Sequence, residues 1–187
     1  MSNFTLFFQL GFRHILEGYD HLLFLLGLVI VTKHWKDLLK VISAFTVAHS
    51  TTLVLSALGI ISLPSIVTES LICFSIIYVG IENVVRKEKK GRWIVAGSFG
   101  LIHGAGFSSH LTDLLKSMLG MGNIWSPLLG FNLGIELGQI VVISVVFPCL
   151  WLLRKYGTED RVVPEISRII ASVGAVLLVF RVWGMNP

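Results

Sequence analysis

The sequence predicts an all-α polytopic membrane protein, a bundle of six transmembrane helices. Of its 187 residues, 54% are hydrophobic and 14% charged, and the mean hydropathy is +0.81, whereas about 25% of residues in an ordinary soluble domain are charged. Six apolar runs are long enough to cross about 30 Å of hydrocarbon. They cover roughly residues 12–32, 38–60, 65–85, 93–112, 126–153 and 163–184. We therefore expect one transmembrane domain over residues 1–187.

Basic residues concentrate in the loops after the first, third and fifth runs, and this distribution predicts the orientation. They are Lys33, Lys36 and Lys40, then Arg86, Lys87, Lys89, Lys90 and Arg92, and finally Arg154, Lys155 and Arg161. By the positive-inside rule these loops face the cytoplasm, so both termini face outward. The same distribution explains the net charge of +4 without a nucleic-acid partner. Cys73 and Cys149 stand singly in apolar runs, which excludes a disulfide framework.

The first span begins with a charged stretch, His14-Ile15-Leu16-Glu17-Gly18-Tyr19-Asp20-His21. At 100° per residue His14, Glu17 and His21 fall within about 60° of one another, and Asp20 lies about 60° further round. One helical face therefore carries two imidazoles and two carboxylates. Because each charged group costs roughly 2.5–3.5 kcal/mol at the centre of a bilayer unless it finds a partner, we expect a functional site.

The second span carries a polar stripe through an otherwise apolar helix. Thr46, His49, Thr52 and Ser56 share a face about 120° wide, and His49 is close to the middle of the span. Hydrogen bonds from the hydroxyl groups to the preceding turn explain the Thr and Ser residues as well as a functional role does. For His49 a packing role and a functional role both remain open.

The third span contains two acidic positions. Glu69 lies in its first two turns, where the helix dipole favours an acid, so both a structural and a functional interpretation stand. Glu82 and Asn83 lie next to the basic loop, where we expect Glu82 to pair with Arg86 or Lys87.

The fourth span is rich in glycine around His103. Ala96, Gly100 and Gly104 are spaced four apart, which predicts a close approach by a neighbouring backbone next to the imidazole. The glycines also permit a broken helix. Such a break is tolerated at this depth only where protein or a watery cavity satisfies the backbone.

The fifth span combines a glycine ridge with a narrow polar face. Asn132, Glu136 and Gln139 lie within about 60° of one another, and Glu136 near mid-membrane is the residue that a scaffold role explains least. The ridge is formed by Gly130, Gly134 and Gly138. It could pack inside the bundle or against a second copy in a homo-oligomer. The sixth span holds only Arg181 near its outer end and is expected to form a wall.

Two short stretches resemble each other. Gly11 to His14 and Gly100 to His103 both read Gly-apolar-x-His, and another histidine follows seven residues later in each, at His21 and His110. The next span of each half then carries a Phe-polar-apolar-small run, at Phe45 and Phe131. Such a match would fit a three-plus-three inverted repeat, the arrangement with which many transporters build a site at the membrane midplane. Because the match is short, chance explains it equally well.

Four predicted spans thus bring His or carboxylate groups to a similar depth. Imidazole with carboxylate oxygen is the ligand set of divalent metals such as nickel, cobalt or zinc, and no cysteine is available at this depth for a thiolate site. The candidate metal ligands are His14, Asp20, His21, His49, His103 and Glu136, with Glu17, Ser50, Glu69, Asn132 and Gln139 as supporting residues. A proton relay through the same groups is the nearest alternative.

The motifs in this order resemble the HupE/UreJ family of hydrogenase and urease accessory membrane proteins. The resemblance rests on His14-x5-Asp20-His21, Phe45-Thr46-x2-His49-Ser50, Gly100-Leu101-Ile102-His103-Gly104-x-Gly106-Phe107 and Phe131-Asn132-Leu133-Gly134-x-Glu136-Leu137-Gly138-Gln139. It covers nearly the whole membrane region. One departure is Phe107, since the best-studied branch has a second histidine shortly after the position of His103.

The resemblance implies a multi-pass permease of the bacterial inner membrane that carries nickel or cobalt for metalloenzyme maturation. With the orientation predicted above, its termini are periplasmic or extracellular. The resemblance points to His14, Asp20 and His21 as metal-handling residues and to His103 as their partner. The alternative function is an intramembrane zinc-dependent hydrolase, in which three histidines hold the metal with an open fourth position. Glu136 or Asp20 would then be the general base.

Overall fold

The computed structural model describes residues 2–85, 91–106 and 125–184, and within them all regular structure is α-helical. An all-α membrane protein is therefore confirmed at the level of fold class. Seven helices occur in these ranges. They are α1 (Asn3–Glu17), α2 (Tyr19–Val29), α3 (Trp35–Ala57), α4 (Ser65–Val85), α5 (Arg92–Ala105), α6 (Trp125–Lys155) and α7 (Glu159–Val182).

The first predicted span, 12–32, is two helices. α1 begins nine residues earlier than expected and ends at Glu17, and α2 starts at Tyr19 after a single intervening residue, Gly18. The backbone of Gly18 has a ψ of 88°, far from the helical value of about −42°. The prediction of one continuous helix over residues 12–32 is wrong. The 100° spacing carries no information on a break within an apolar run.

Four helices, α3, α4, α6 and α7, are long and apolar enough to cross a membrane. The 11-residue α2 is apolar but shorter, and α5 ends at Ala105 with Gly106 as its C-cap. Residues 107–112 of the fourth predicted span lie outside the described ranges. Exposed tryptophans at helix ends, Trp35, Trp93, Trp125, Trp151 and Trp183, have the placement of interfacial aromatic belts. The count of six spans and the outward termini remain predictions.

The glycine ridge of α6 packs inside the chain against α1. A Cβ on Gly130 would lie 2.5 Å from the carbonyl oxygen of Phe4, and a Cβ on Gly134 or Gly138 would collide with Phe8 or Ile15. The two helices therefore touch backbone to backbone over three turns. Of the two alternatives for this ridge, the structure selects packing within the bundle, so a homo-oligomer would need another surface.

The second predicted ridge brings α5 against α3 in the same way. A Cβ on Gly100 would lie 2.7 Å from the carbonyl oxygen of Phe45, and a Cβ on Gly104 would collide with the carbonyl oxygen of His49. The close approach expected next to His103 is confirmed. It places the buried rings of His49 and His103 at one level of the bundle.

Two apolar clusters enclose that level. The smaller one contains Phe7, Ile15, Leu53, Phe131 and Ile135. The larger one lies further along the same helices and includes Phe24, Leu28, Phe45, Ile76, Val79 and Ile170. His21 follows Ile15 and precedes Phe24, and His49 lies between Phe45 and Leu53, so both histidines fall at the boundary between the two clusters.

Replacement of Gly100 by alanine should lower the melting temperature of the detergent-solubilised protein. Forcing a methyl group against the α3 backbone typically costs about 1–3 kcal/mol. Gly97→Ala is the matched control, because its Cβ would meet Ala44 at an ordinary 3.8 Å. Equal melting temperatures for the two variants would contradict the described contact between α3 and α5.

Candidate metal centre

The break at Gly18 brings two imidazoles together. Residues seven apart on a continuous helix are separated by about 10 Å along its axis, yet the ring centroids of His14 and His21 are 4.7 Å apart. A Cβ on Gly18 would lie 2.8 Å from Nδ1 of His21 and 2.9 Å from the carbonyl oxygen of His14. Only glycine leaves room for both groups at this position.

His49 completes a group of three histidines. The ring of His49 lies 5.8 Å from that of His14 and 5.7 Å from that of His21, measured between centroids. Ligand nitrogens of His14, His21 and His49 all lie within 4.8 Å of one another, and the group has the composition and spacing to hold a metal ion. We call these three residues the histidine group.

Asp20 orients one member of the group. Its Oδ1 accepts a hydrogen bond from Nδ1 of His21 at 3.0 Å and another from the backbone N–H of His21 at 2.9 Å. The proton of His21 is thereby held on Nδ1, so Nε2 keeps its lone pair. This Nε2 is buried and has no hydrogen-bond partner among the described residues. A carboxylate behind an imidazole is the usual support of a metal-binding histidine.

His103 lies next to the histidine group with a defined tautomer. Its ring is 4.9 Å from that of His21, and its Nε2 lies 3.0 Å from Oγ of Ser75. The Ser75 hydroxyl donates its only proton to the carbonyl oxygen of Ile72 at 2.6 Å, so it accepts from His103. The lone pair of His103 is therefore on Nδ1, a buried atom without a hydrogen-bond partner in the described ranges.

The polar residues of α6 contact α3 on both sides of Glu136. Asn132 accepts a hydrogen bond from Ser50, and Gln139 accepts one from Thr46 at 3.0 Å. Glu136 itself is half-buried and forms no hydrogen bond or ion pair with a described residue. The polar face expected on this helix is present, and Ser50, Asn132 and Gln139 join two helices within it.

The remaining acidic candidates lie towards the predicted outer side. Glu17 is exposed at the end of α1. Glu69 forms an ion pair with Arg181 at 3.2 Å, and Arg181 donates to the hydroxyl of Tyr19 at 3.1 Å. This contact ties α4 and α7 to the first residue of α2 and gives Glu69 a structural partner.

Aromatic rings surround the histidines. The Phe45 ring lies 5.6 Å from His49 and 5.4 Å from His103 between centroids, and Phe24 lies 5.0 Å from His103. Phe131 lies 5.9 Å from His14. All three phenylalanines are buried. Hydrogen bonds and other polar interactions in such an apolar shell are stronger than in water. A polar group that lacks a partner there raises the free energy of the folded state more than it would in water.

Sequence reasoning missed two contributors to the centre. Ser75 is a single hydroxyl in an apolar run, and nothing local indicates that it faces an imidazole 28 positions away. The sequence did contain a signal for the helix break, because Gly18 stands between Glu17 and Asp20 in the middle of the charged stretch. Phe107 and His110 lie outside the described residues.

One family comparison bears on this geometry. The family model described as HupE / UreJ protein matches residues 1–186, nearly the entire chain. The chain belongs to the HupE/UreJ family. Membership in the HupE/UreJ family and the apolar helices together make it a multi-pass membrane protein. No curated protein and no solved structure matches the chain.

Asp20→Asn should weaken the binding of a divalent transition metal to the purified protein by roughly 10–100-fold, the usual cost of losing the partner that orients a ligating imidazole. Isothermal titration with nickel measures the change. Glu165→Gln is the control, because Glu165 is an exposed carboxylate on α7 outside the candidate site. If both variants bind nickel as the parent does, Asp20 does not support a metal ligand.

Proposed function

We propose that the protein is a permease for a divalent transition-metal cation, nickel or cobalt, that supplies metalloenzyme maturation from the bacterial inner membrane. The observation that carries the proposal is the histidine group, three imidazoles whose ligand nitrogens lie within 4.8 Å of one another. Imidazole nitrogen is a suitable ligand for nickel, cobalt and zinc. Membership in the HupE/UreJ family adds the expectation of metal handling.

The arrangement supports transient rather than permanent binding. A permeation site must hold its ion firmly enough to capture it and weakly enough to release it. His14 is half-buried whereas His21 and His49 are buried, so the group opens on the side of α1. The proposed path starts at the exposed Glu17, passes Asp20 and His14, and reaches His21 and His49.

His103 and Glu136 complete the proposed path. The buried Nδ1 of His103 has no described partner, and its ring is 4.9 Å from that of His21, close enough for a cation to pass from one imidazole to the other. Glu136 is the half-buried carboxylate on the face that joins α6 to α3. We assign it the role of a second carboxylate that offsets the charge of the ion.

An inverted repeat is part of this proposal, and the helix contacts support it. Gly11 packs against the carbonyl oxygen of Phe131, and Gly100 packs against that of Phe45, which pairs the two similar stretches with each other's following span. α1 and α5 also end one residue before a glycine, Gly18 and Gly106 respectively. Transporters built in this way alternate access by moving one repeat against the other around a fixed site.

The zinc hydrolase remains the second candidate because three histidines with an open fourth position are also the arrangement of a catalytic zinc site. Asp20 is engaged with His21, so Glu136 is the better general base in that alternative. Metal analysis discriminates between the two functions. Tightly held, stoichiometric zinc without uptake in proteoliposomes would support the hydrolase and remove the permease.

His21→Ala and His49→Ala should abolish saturable nickel uptake by proteoliposomes, since each variant removes one of three ligands. The loss should exceed the roughly 10–100-fold effect of removing an orienting partner. Arg168→Ala is the control, because Arg168 is an exposed side chain on α7 and lies outside the histidine group.

Glu136→Ala tests the fourth helix of the proposed site. We expect reduced nickel uptake with the melting temperature retained, because Glu136 forms no ion pair with a described residue that its loss would break. If Glu136→Ala and His49→Ala both leave uptake and metal binding unchanged, the site proposed across these helices is wrong.

A further inference from the structure

A second buried polar cluster surrounds Arg92, the first residue of α5. The side chain is 5% exposed, although the sequence placed it among the basic residues of a cytoplasmic loop. Its Nη1 donates to Glu82, and its Nη2 donates to Oδ1 of Asn83 at 2.7 Å and to the carbonyl oxygen of Gly27 at 3.0 Å. Three oxygens from α2 and α4 thus converge on one guanidinium group.

Stability alone does not explain this cluster. Taking two charges out of water costs several kcal/mol per ion, and well-packed apolar residues of similar volume often serve as well or better. Glu82 and Arg92 are both more than nine-tenths buried. An ionisable pair buried between the helices of a membrane protein is by default a functional-site hypothesis.

The carbonyl oxygen of Gly27 carries a partial negative charge from the helix dipole and accepts two hydrogen bonds. It lies in the last turn of α2, where carbonyl groups have no partner inside the helix and the dipole places a partial negative charge. The amide nitrogen of Asn83 also donates to it at 2.7 Å. Gly27 lacks a side chain because a Cβ would lie 2.7 Å from Cγ1 of Val79 on α4, so α2 and α4 approach closely here.

The cluster lies directly beyond the histidine group, towards the predicted cytoplasmic side. Gly27 is six residues after His21 on α2, about 9 Å along the helix, and Glu82 is seven residues after Ser75 on α4, about 10 Å along it. Buried apolar side chains such as Phe24 and Leu28 lie along α2 between the two. A cavity of about 10 Å³ next to His21 and Phe24 has room for at most about one water molecule.

The other side of Arg92 is open. A cavity of about 430 Å³ reaches Arg92 from the loop between α2 and α3, and its lining includes Thr32, Lys33, His34 and Asp37. The oxygens around Arg92 therefore lie between the apolar side chains next to the histidine group and a polar cavity at the end of the bundle.

We propose that the oxygens of Glu82, Asn83 and Gly27 form a second cation site, which the guanidinium of Arg92 fills as a tethered cation. A cation that leaves the histidine group displaces Arg92, binds these oxygens and passes into the cavity. This role as the inner exit rests on the proposed permease function, whereas the binding of a cation by the three oxygens does not.

The chemistry of the site fits an exit. Carboxylate, amide and backbone carbonyl oxygens suit hard cations such as manganese and magnesium, and they hold nickel or cobalt less firmly than imidazole does. Release from such a site is easier than release from the histidine group, as conduction requires. While Arg92 occupies the site, its positive charge opposes the passage of another cation, which keeps the inner side closed.

Manganese binding by an Arg92→Gln variant tests the second site. The variant is made in a His21→Ala, His49→Ala background, which leaves the histidine group with one of its three imidazoles. We expect about one manganese ion per protein by titration calorimetry and electron paramagnetic resonance, where the background protein binds none. Adding Glu82→Gln should remove this binding, because Glu82 supplies the charge among the three oxygens proposed as ligands.

Arg154→Gln in the same background is the matched control. Arg154 also donates to a carboxylate and a carbonyl oxygen. Its Nε lies 3.1 Å from Glu159 and its Nη2 lies 3.1 Å from the carbonyl oxygen of Thr32, but Arg154 and Glu159 are only half-buried. It should gain no manganese site. Equal manganese binding by the Arg92 and Arg154 variants would overturn the proposal.

Folding of the variant is part of the test. Breaking a buried ion pair typically destabilises a protein by about 3–5 kcal/mol, and manganese added during extraction should restore the melting temperature of the Arg92→Gln protein. Failure to fold even with manganese present, or a folded variant that binds none, contradicts the second site. Absence of nickel uptake by the unmodified protein would instead contradict the permease and leave manganese binding by the variant unaffected.

Discussion

The interruption of the first membrane segment at Gly18 is the constraint on which the rest of the site depends. Backbone groups that lose their helical partners cost several kcal/mol each in an apolar surrounding. Here the Gly18 N–H bonds to the carbonyl of His14, the Leu22 N–H bonds to the carbonyl of Gly18, and the His21 N–H bonds to the Asp20 side chain. Asp20 therefore accepts a hydrogen bond from a backbone N–H next to the break and orients the imidazole of His21 at the same time. The geometry of the histidine group follows from how the break is stabilised.

Backbone contacts at glycine hold the other helices at the distance that this geometry needs. α1 lies against the ridge of α6, and α5 lies against α3 through Gly100 and Gly104. Larger side chains at these positions would move His14 and His103 away from His49 by the thickness of a methyl group or more. Without a hydrophobic force between helices in lipid, such close van der Waals packing is a main source of association.

The short helix α2 links two polar levels of the bundle. Asp20 lies in its first turn, where the dipole is positive, and the guanidinium of Arg92 lies at its last turn, where the dipole is negative. Each end of the helix thus meets a charge of the opposite sign. Phe24 and the rest of the larger apolar cluster occupy the length between them. This 11-residue helix thus contacts the histidine group at one end and the cluster around Arg92 at the other.

The sequence by itself determined the helical membrane class and the two glycine ridges, because hydropathy and small-residue spacing act within a single helix. The family also followed from motifs that are local. Only the tertiary structure decided which imidazoles meet, since His14, His21 and His49 converge through a helix break and a contact between distant segments. For the same reason the sequence did not reveal the roles of Ser75 and Arg92. A hydroxyl in an apolar run and a cation beside a loop acquire their roles from partners on other helices, and no local pattern specifies which helix lies next to which.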